Sequence, residues 1–297
     1  MSPPSHAVGR RAGLAVGIAA ALVLLAALAG DIGWHEHTRA LRASLEASRA
    51  VPAPPAFDPR ELEALPPPVR RFFHAALRPG QPAVSGARLK TEGEFLVDPE
   101  KDRWMAFTAD QLVVARPPGF DWDARLRIFP GFEIFVRDSY RAGAGLLRAE
   151  VLAFVKVAAH EGTPELAKGE LIRWLAEACW LPTALLPSQG VRWDALDEGR
   201  ARATLEDRGT SVSLEFRFGS DGLVTSVFAP DRPRIVGDRS VPTPWEGTWA
   251  AWSARNGMRV PSAGSVAWLL PDGPQPYWRG RLRSVAYLFA DEAGATR

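Results

Sequence analysis

From residue 84 onward apolar and polar residues alternate, and that twofold period commits most of the chain to β-structure. In "WDARLRI", Trp122, Ala124, Leu126 and Ile128 alternate with Asp123, Arg125 and Arg127. In "SVSLEFRF", Val212, Leu214, Phe216 and Phe218 alternate with Ser211, Ser213, Glu215 and Arg217. Weaker versions run through "ARATLE" and "YWRGRLRSVAYL". Turn-forming clusters at "VDPEKD", "RPPGF", "FPGF", "DEGR", "GSDG", "RNG" and "LPDGP" join these runs by short connections, which favour antiparallel neighbours. The pattern predicts roughly ten to twelve strands, in one block over 84–158 and another over 191–289.

Between the blocks stands the one convincing helix of this region, 164–179. Thr163-Pro164 supplies an N-cap followed by proline at the first helical position, and Pro182 and Pro187 stop any continuation. A sheet of that many strands at ~4.8 Å spacing is about 50 Å wide, whereas a helix covers a strip of ~10–12 Å. One helix leaves most of such a sheet bare. The sheet must therefore curl, split, or present a concave apolar face to something else. The expected fold is mainly β (α+β): a curved antiparallel sheet or half-barrel with one central helix as a lid, preceded by an N-terminal transmembrane helix.

Helical spacing places Leu171, Ile172, Leu175, Ala178 and Cys179 on one side of the lid and Glu170, Arg173, Trp174 and Glu177 on the other. In a container, Leu171 and Leu175 face the interior, Trp174 and Trp180 flank the rim, and "WLPTALLP" forms an apolar flap. The alternative is a solvated stripe of ion pairs on a helix surface, each worth a few tenths of a kcal/mol. If "FEIFVRDSY" is one strand with Phe132, Ile134 and Val136 inward, the alternation carries Asp138 and Tyr140 to the same apolar side. A carboxylate there needs a partner, and Arg173 is the candidate, joined by Glu177 or Glu170. The competing reading ends the strand at Arg137 and puts both residues in a turn with Gly143 and Gly145.

The amino terminus carries "AGLAVGIAAALVLLAALAG" without a charged group, enough for a helix of ~28 Å at ~1.5 Å per residue. Arg10 and Arg11 before it and Asp31 after it place the amino terminus in the cytoplasm and the bulk of the chain outside. Trp34 sits where an interfacial aromatic would. A retained anchor is preferred to a cleaved signal, for which Ala27-Leu28-Ala29 offers a cleavage pattern. "HEHTRALRASLEASRA" reads as a short polar helix with little apolar stripe, "VPAPPAFDP" as an extended linker, and "LPPPVRRFFHAAL" as a helix with Val69, Phe72, Phe73 and Leu77 on one face. The expected division is a cytoplasmic n-region at 1–11, an anchor or signal at 12–30, a helical stalk and Pro-rich linker at 31–65, an extracytoplasmic β-rich domain at 66–291, and a tail at 292–297.

A net charge of +2 gives no field that argues for nucleic acid. Cys179 is the only cysteine, so neither an internal disulfide nor a thiolate metal cluster is possible. It lies on the apolar side of its helix, where cysteine behaves as a small hydrophobe. His35 and His37 have no further ligands beside them, so no metal and no cofactor is expected. The chain has no G-x-S-x-G elbow, no H-E-x-x-H and no phosphate loop.

The segments "PPGFDWDA", "RDSYRAGAG", "GELIRWLAEACWLPTALLP", "VRWDALD" and "YWRGRL" resemble those of a widespread, uncharacterised bacterial family of membrane-anchored proteins. The resemblance spans about 70–289 and brings no activity with it. More loosely, the layout is similar to the half-barrel carriers of lipoproteins and lipids in bacterial envelopes, a fold-level analogy. The residues expected to meet a membrane lipid or other hydrophobic small molecule are Trp122, Asp138, Tyr140, Glu170, Arg173, Trp174, Glu177 and Trp180. No catalytic residue is assigned. Two other readings stand beside this one: an envelope hydrolase or isomerase using Asp138, Tyr140, Glu170, Arg173 and Glu177, and a structural envelope protein without a ligand.

Overall fold

The computed structural model describes residues 5–237 and 239–289, with side chains from Leu14 onward. The strands are β1 (Val84–Asp98), β2 (Arg103–Val114), β3 (Gly119–Phe129), β4 (Phe132–Arg141), β5 (Ala144–Val151), β6 (Val155–Glu161), β7 (Arg192–Ala195), β8 (Arg200–Asp207), β9 (Thr210–Phe218), β10 (Val224–Val236), β11 (Arg239–Arg255), β12 (Met258–Leu270) and β13 (Gly273–Phe289). All thirteen form one antiparallel sheet in the order β6-β5-β4-β3-β2-β1-β13-β12-β11-β10-β9-β8-β7. Each block is a meander, and the two meet where β1 pairs with β13, with Leu89 opposite Val285. The sheet is a half-barrel with one helix across its concave side, as the alternation required.

That helix, α3 (Pro164–Glu177), starts at Thr163, whose Oγ1 accepts from the Leu166 amide at 3.2 Å. It ties the two flanks of the half-barrel together. On one flank Gly145 of β5 lies so close to Leu166 that a Cβ there would approach its backbone to 2.9 Å. On the other, Lys168 pairs with Asp231 at 2.5 Å and Arg232 Nε donates to the Gly169 carbonyl at 3.4 Å. The flanks also meet directly where the Tyr140 hydroxyl donates to Asp207 Oδ2 at 2.7 Å.

Leu171, Ile172, Leu175, Ala178 and Cys179 are buried in the main core with Ala203, Leu205, Val212, Leu214 and Phe216 of the second block. Each fully buried large side chain of this kind is worth about 1.5–3 kcal/mol. The stretch after α3 is not a flap. Its 3-10 turns bury Leu181, Ala184, Leu185 and Leu186, Thr183 Oγ1 accepts from the Val84 amide at 2.9 Å, and Trp193 Nε1 donates to the Leu185 carbonyl at 2.9 Å. Three successive 3-10 turns, punctuated by Pro182 and Pro187, make a plug that closes one end of the core.

The helix α2 (Pro67–Ala76) buries Val69, Phe72 and Phe73, and Leu77 follows at its C-cap, also buried. The Pro-rich segment before it folds onto the domain, with Phe57 buried and its amide bonded to the Gln81 carbonyl at 2.9 Å.

The amino-terminal helix α1 (Ser5–Ser48) is continuous, where a membrane segment followed by a separate stalk was expected. Residues 34–48 are bound to the convex face of the sheet. Trp34, expected at a membrane interface, is buried against Phe135 and Ala153, and Leu45 against Leu112 and Val114. Between them Arg42 pairs with Asp121 at 2.6 Å, and the fully buried Arg137 pairs with Asp121 at 3.0 Å and Asp123 at 3.3 Å. Residues 14–29 run past the end of the sheet, largely exposed and apolar; among the described residues α1 is the one helix long and apolar enough to cross a membrane. Arg10, Arg11 and the tail 292–297 fall outside the described side chains.

Candidate functional site

The concave side holds a cavity of about 1000 Å³ beneath α3. Phe95, Trp122, Trp245, Val266, Trp268 and Trp278 form much of its wall, from strands β1, β3, β11, β12 and β13. The alternation that directs one side chain in two inward makes this wall aromatic and leaves the outer face polar, where Arg279 and Arg281 meet Glu94 and Glu92.

The roof of the cavity is the polar face of α3. Gly169, Glu170, Arg173, Ala176 and Glu177 line it, while Leu171 and Leu175 point away into the core. Leu171 and Leu175, expected to face the container, do not, because α3 is buried on both faces: the core behind it takes the apolar stripe, and the cavity takes the charged one.

The strand containing Asp138 continues through Arg141, so Asp138 stays on the concave face opposite Trp122 of β3. Arg173 Nη1 donates to Asp138 Oδ2 at 2.6 Å and its Nε to Glu177 Oε1 at 2.7 Å. The guanidinium lies 5.0 Å from the Phe120 ring centroid and 4.9 Å from that of Trp122. Glu177 Oε2 accepts from Gln111 Nε2 at 2.7 Å. Arg173, Asp138, Glu177, Glu170 and Trp122 are thus brought together on the cavity wall.

The remaining sequence-selected residues have other surroundings. Tyr140 is fully buried and its hydroxyl closes the barrel against Asp207. Trp174, placed at the rim by its helical phase, is buried in the core with Nε1 donating to the Val114 carbonyl at 3.0 Å. Trp180 touches the cavity from within the core; its Nε1 donates to the Pro261 carbonyl at 3.1 Å and its ring packs edge-on to Trp249. Neither tryptophan forms a rim. Cys179 is buried, which pushes its thiol above the ordinary range and makes it unreactive.

A second cation faces the cavity, and the sequence reading did not select it. Arg232 is buried, donates through Nη1 to the Tyr277 hydroxyl at 2.7 Å, and stacks 4.8 Å from Trp245 and 5.4 Å from Trp268. Tyr277 also accepts from Trp245 Nε1 at 2.9 Å. Among the described residues Arg232 pairs with no carboxylate, unlike Arg173. "PTPWEGTW" places Thr243, Trp245, Gly247 and Trp249 on one face, a signal that would have found the two tryptophans. Nothing in "APDRPR" singles out Arg232, because its two prolines read as a turn.

Burial, then the nearby Asp138, pushes the Glu170 carboxyl up to about 8. Burial likewise raises Asp138, against the pull of Arg173. Burial lowers Arg173, but Glu177, Asp138 and Glu170 outweigh it and hold the guanidinium above its ordinary range. At neutral pH the Glu170 carboxyl is mainly protonated, so it offers the cavity a hydrogen-bond donor as well as an acceptor. Its Oε2 and Asp138 Oδ1 are buried without a protein partner. The described residues hold no cluster of three metal-ligating side chains.

The aromatic residues of this wall, α3 and the plug all lie within residues 63–287, the span matched by the model of a family described as "Family of unknown function (DUF6920)". The chain belongs to the DUF6920 family. No curated protein matches the chain. Two solved structures are similar to the chain. One, described as an outer membrane lipoprotein-sorting protein domain from Vibrio parahaemolyticus, has 9% sequence identity and a TM-score of 0.40, covering 71% of this chain and 90% of that one. The other, a LolA superfamily protein from Nitrosomonas europaea, has 10% identity and a TM-score of 0.35, covering 72% of this chain and 90% of that one.

Proposed function

We propose that this DUF6920 protein is an extracytoplasmic binding protein, held to the membrane by residues 12–30, whose cavity takes a lipid or another apolar ligand. One observation carries the reading: a cavity of about 1000 Å³ with aromatic walls and a few buried polar groups at its roof. That size and lining are those of a small-molecule site, in which apolar walls supply affinity and a few polar groups fix orientation. Arg232 is the group available for an acidic head, because both carboxylates beside Arg173 are already bonded to it.

The test uses the full chain purified in mild detergent, native mass spectrometry for co-purifying lipid, and titration with a pyrene-labelled fatty acid. Val266→Trp, which fills the cavity from its wall, should weaken probe binding by roughly tenfold or more, the equivalent of ~1.4 kcal/mol. Arg232→Gln should weaken the fatty acid more than its methyl ester. Wild-type protein that binds neither probe and carries no lipid would refute the reading.

A second reading, catalysis, is favoured by one observation: Glu170 and Asp138 are two buried carboxyls lining one cavity, each with an unpartnered oxygen and each raised by burial, the arrangement of an acid and base pair. It expects a co-purified molecule to be chemically altered on incubation with wild type and unaltered with Glu170→Gln. The binding reading expects no alteration by either protein.

A further inference from the structure

We propose that the open end of the half-barrel docks on the bilayer that holds α1, with the apolar hairpins on either side of the cavity as the contact. This deepens the binding reading and rests on its retained anchor, but not on whether the cavity is occupied.

The register fixes which turns share an end. Antiparallel pairing brings the turns after Asp98, Phe129, Val151, Val236 and Leu270 to one end of the sheet. The opposite end, where β1 starts, is closed by the plug. Contacts along α1 fix its direction against the same frame. Arg49 reaches Ser85, Leu45 lies beside Gly119, Trp34 bonds Asp123, and Gly30 crosses Ala153 so closely that a Cβ there would meet the Ala153 carbonyl oxygen. Moving toward its amino terminus, α1 therefore travels toward the open end and passes it at residue 30. Its apolar segment begins at that level, so the bilayer surface lies at the turns after Phe129 and Val151. Because the helix is unbroken through Ser48 and pinned by Trp34, Arg42 and Leu45, the domain is presented to the membrane in one orientation.

The exposed large apolar side chains follow this geometry. Among the described residues, outside α1 and Val51, all of them belong to the hairpins of the open end: Phe129 in β3–β4, Phe154, Val155 and Val157 in β5–β6, and Ile235, Val236 and Val241 in β10–β11. The turns of β1–β2 and β12–β13, in the middle of the sheet, read Pro-Glu-Lys-Asp and Pro-Asp and are polar. Apolar tips thus flank the cavity mouth, whose lining runs from His160 on β6 to Arg239 on β11. A docked rim of this kind opens the cavity onto lipid, so that an apolar ligand moves between leaflet and aromatic wall without crossing water.

The test reconstitutes the full chain in phosphatidylcholine nanodiscs containing nitroxide-labelled lipid, with an environment-sensitive fluorophore on Phe154→Cys, Val236→Cys or Ser220→Cys, one site at a time. Docking predicts quenching at Phe154→Cys and Val236→Cys and none at Ser220→Cys, which lies at the closed end. Val236 is the deciding position, because it lies on the flank away from α1. Quenching at Phe154→Cys alone reports nearness to the anchor and overturns the proposal, as does quenching at all three sites or at none. A second measurement uses Phe154→Asp with Val236→Asp. Transfer of the pyrene fatty acid from donor vesicles should slow by roughly tenfold while its equilibrium binding in detergent is retained, since two apolar side chains leave the bilayer contact but the cavity wall is untouched. Unchanged transfer overturns the proposal. Protein that washes off membranes in high salt overturns both this and the anchor, whereas quenching by a protein that binds no probe upholds the docking and refutes only the ligand.

Discussion

Trp34 on the amino-terminal helix donates its indole Nε1–H to Asp123 Oδ1 on the third strand across 2.9 Å. The bond is the centre of a buried network in which Arg137 lies 4.6 Å from the Trp34 ring and Phe135 packs edge-on against it at 5.5 Å. Trp34→Ala should therefore destabilise the protein by about 3–5 kcal/mol through the cavity left behind. Trp34→Phe keeps the packing and should cost only about 1 kcal/mol for the lost hydrogen bond. Thermal unfolding of the detergent-solubilised chain would show the difference. Equal, small losses would mean that α1 rests on the sheet without being held by it.

Leu175 is fully buried at the contact between α3 and the second block. Leu175→Asp places an unpaired carboxylate there, and loss of more than about 3 kcal/mol, or failure to fold, is expected. An unchanged melting temperature would contradict this packing.

Arg173 neutralises Asp138 and Glu177 beneath the cavity roof. Arg173→Ala leaves both carboxylates without their cation and should cost about 3–5 kcal/mol in urea unfolding, far above the value of a solvated helix stripe. Arg173→Met together with Asp138→Asn and Glu177→Gln should recover most of that loss. A loss under about 0.5 kcal/mol for Arg173→Ala would assign the cluster to solvent.

Glu170 gives the protein a pH dependence of definite sign. Its folded carboxyl titrates near 8, above an ordinary carboxyl at 4.5, so the folded state holds the extra proton between these values. That contribution to stability is complete below about 4.5 and is lost as pH rises to about 8. Glu170→Gln should flatten the fall in melting temperature over this window and leave the variant more stable than wild type at pH 9, by a few kcal/mol at most. Parallel profiles for the two proteins would place the Glu170 titration elsewhere.

Much of the fold was legible because sheet and core both follow the twofold period. Asp138 was found by counting alternate residues from Phe132, and Arg173 by asking what a buried carboxylate needs. The lid was misjudged because a helix buried on both sides has no sequence mark for which side meets a cavity. The binding of α1 to the sheet was hidden for a related reason. Its contact stripe of Trp34, Thr38, Leu41, Arg42 and Leu45 is half polar, and it becomes a packing surface only when Asp121, Asp123 and Arg137 answer it from strands almost a hundred residues away. Arg232 was missed because two prolines disguised the outer half of β10 as a turn.

The pairing of β1 with β13 sets the order in which the molecule can be made. Ser85 reaches the Leu288 carbonyl across 203 positions of sequence, so the middle of the sheet closes last. During synthesis the first meander emerges with β1 as an unpaired edge and must wait while the lid, the plug and seven more strands are translated. Such non-local closure is slow. Loss of β13 would open the sheet at its middle instead of fraying its margin, and an unfinished chain would expose a long, pairing-competent strand to its neighbours.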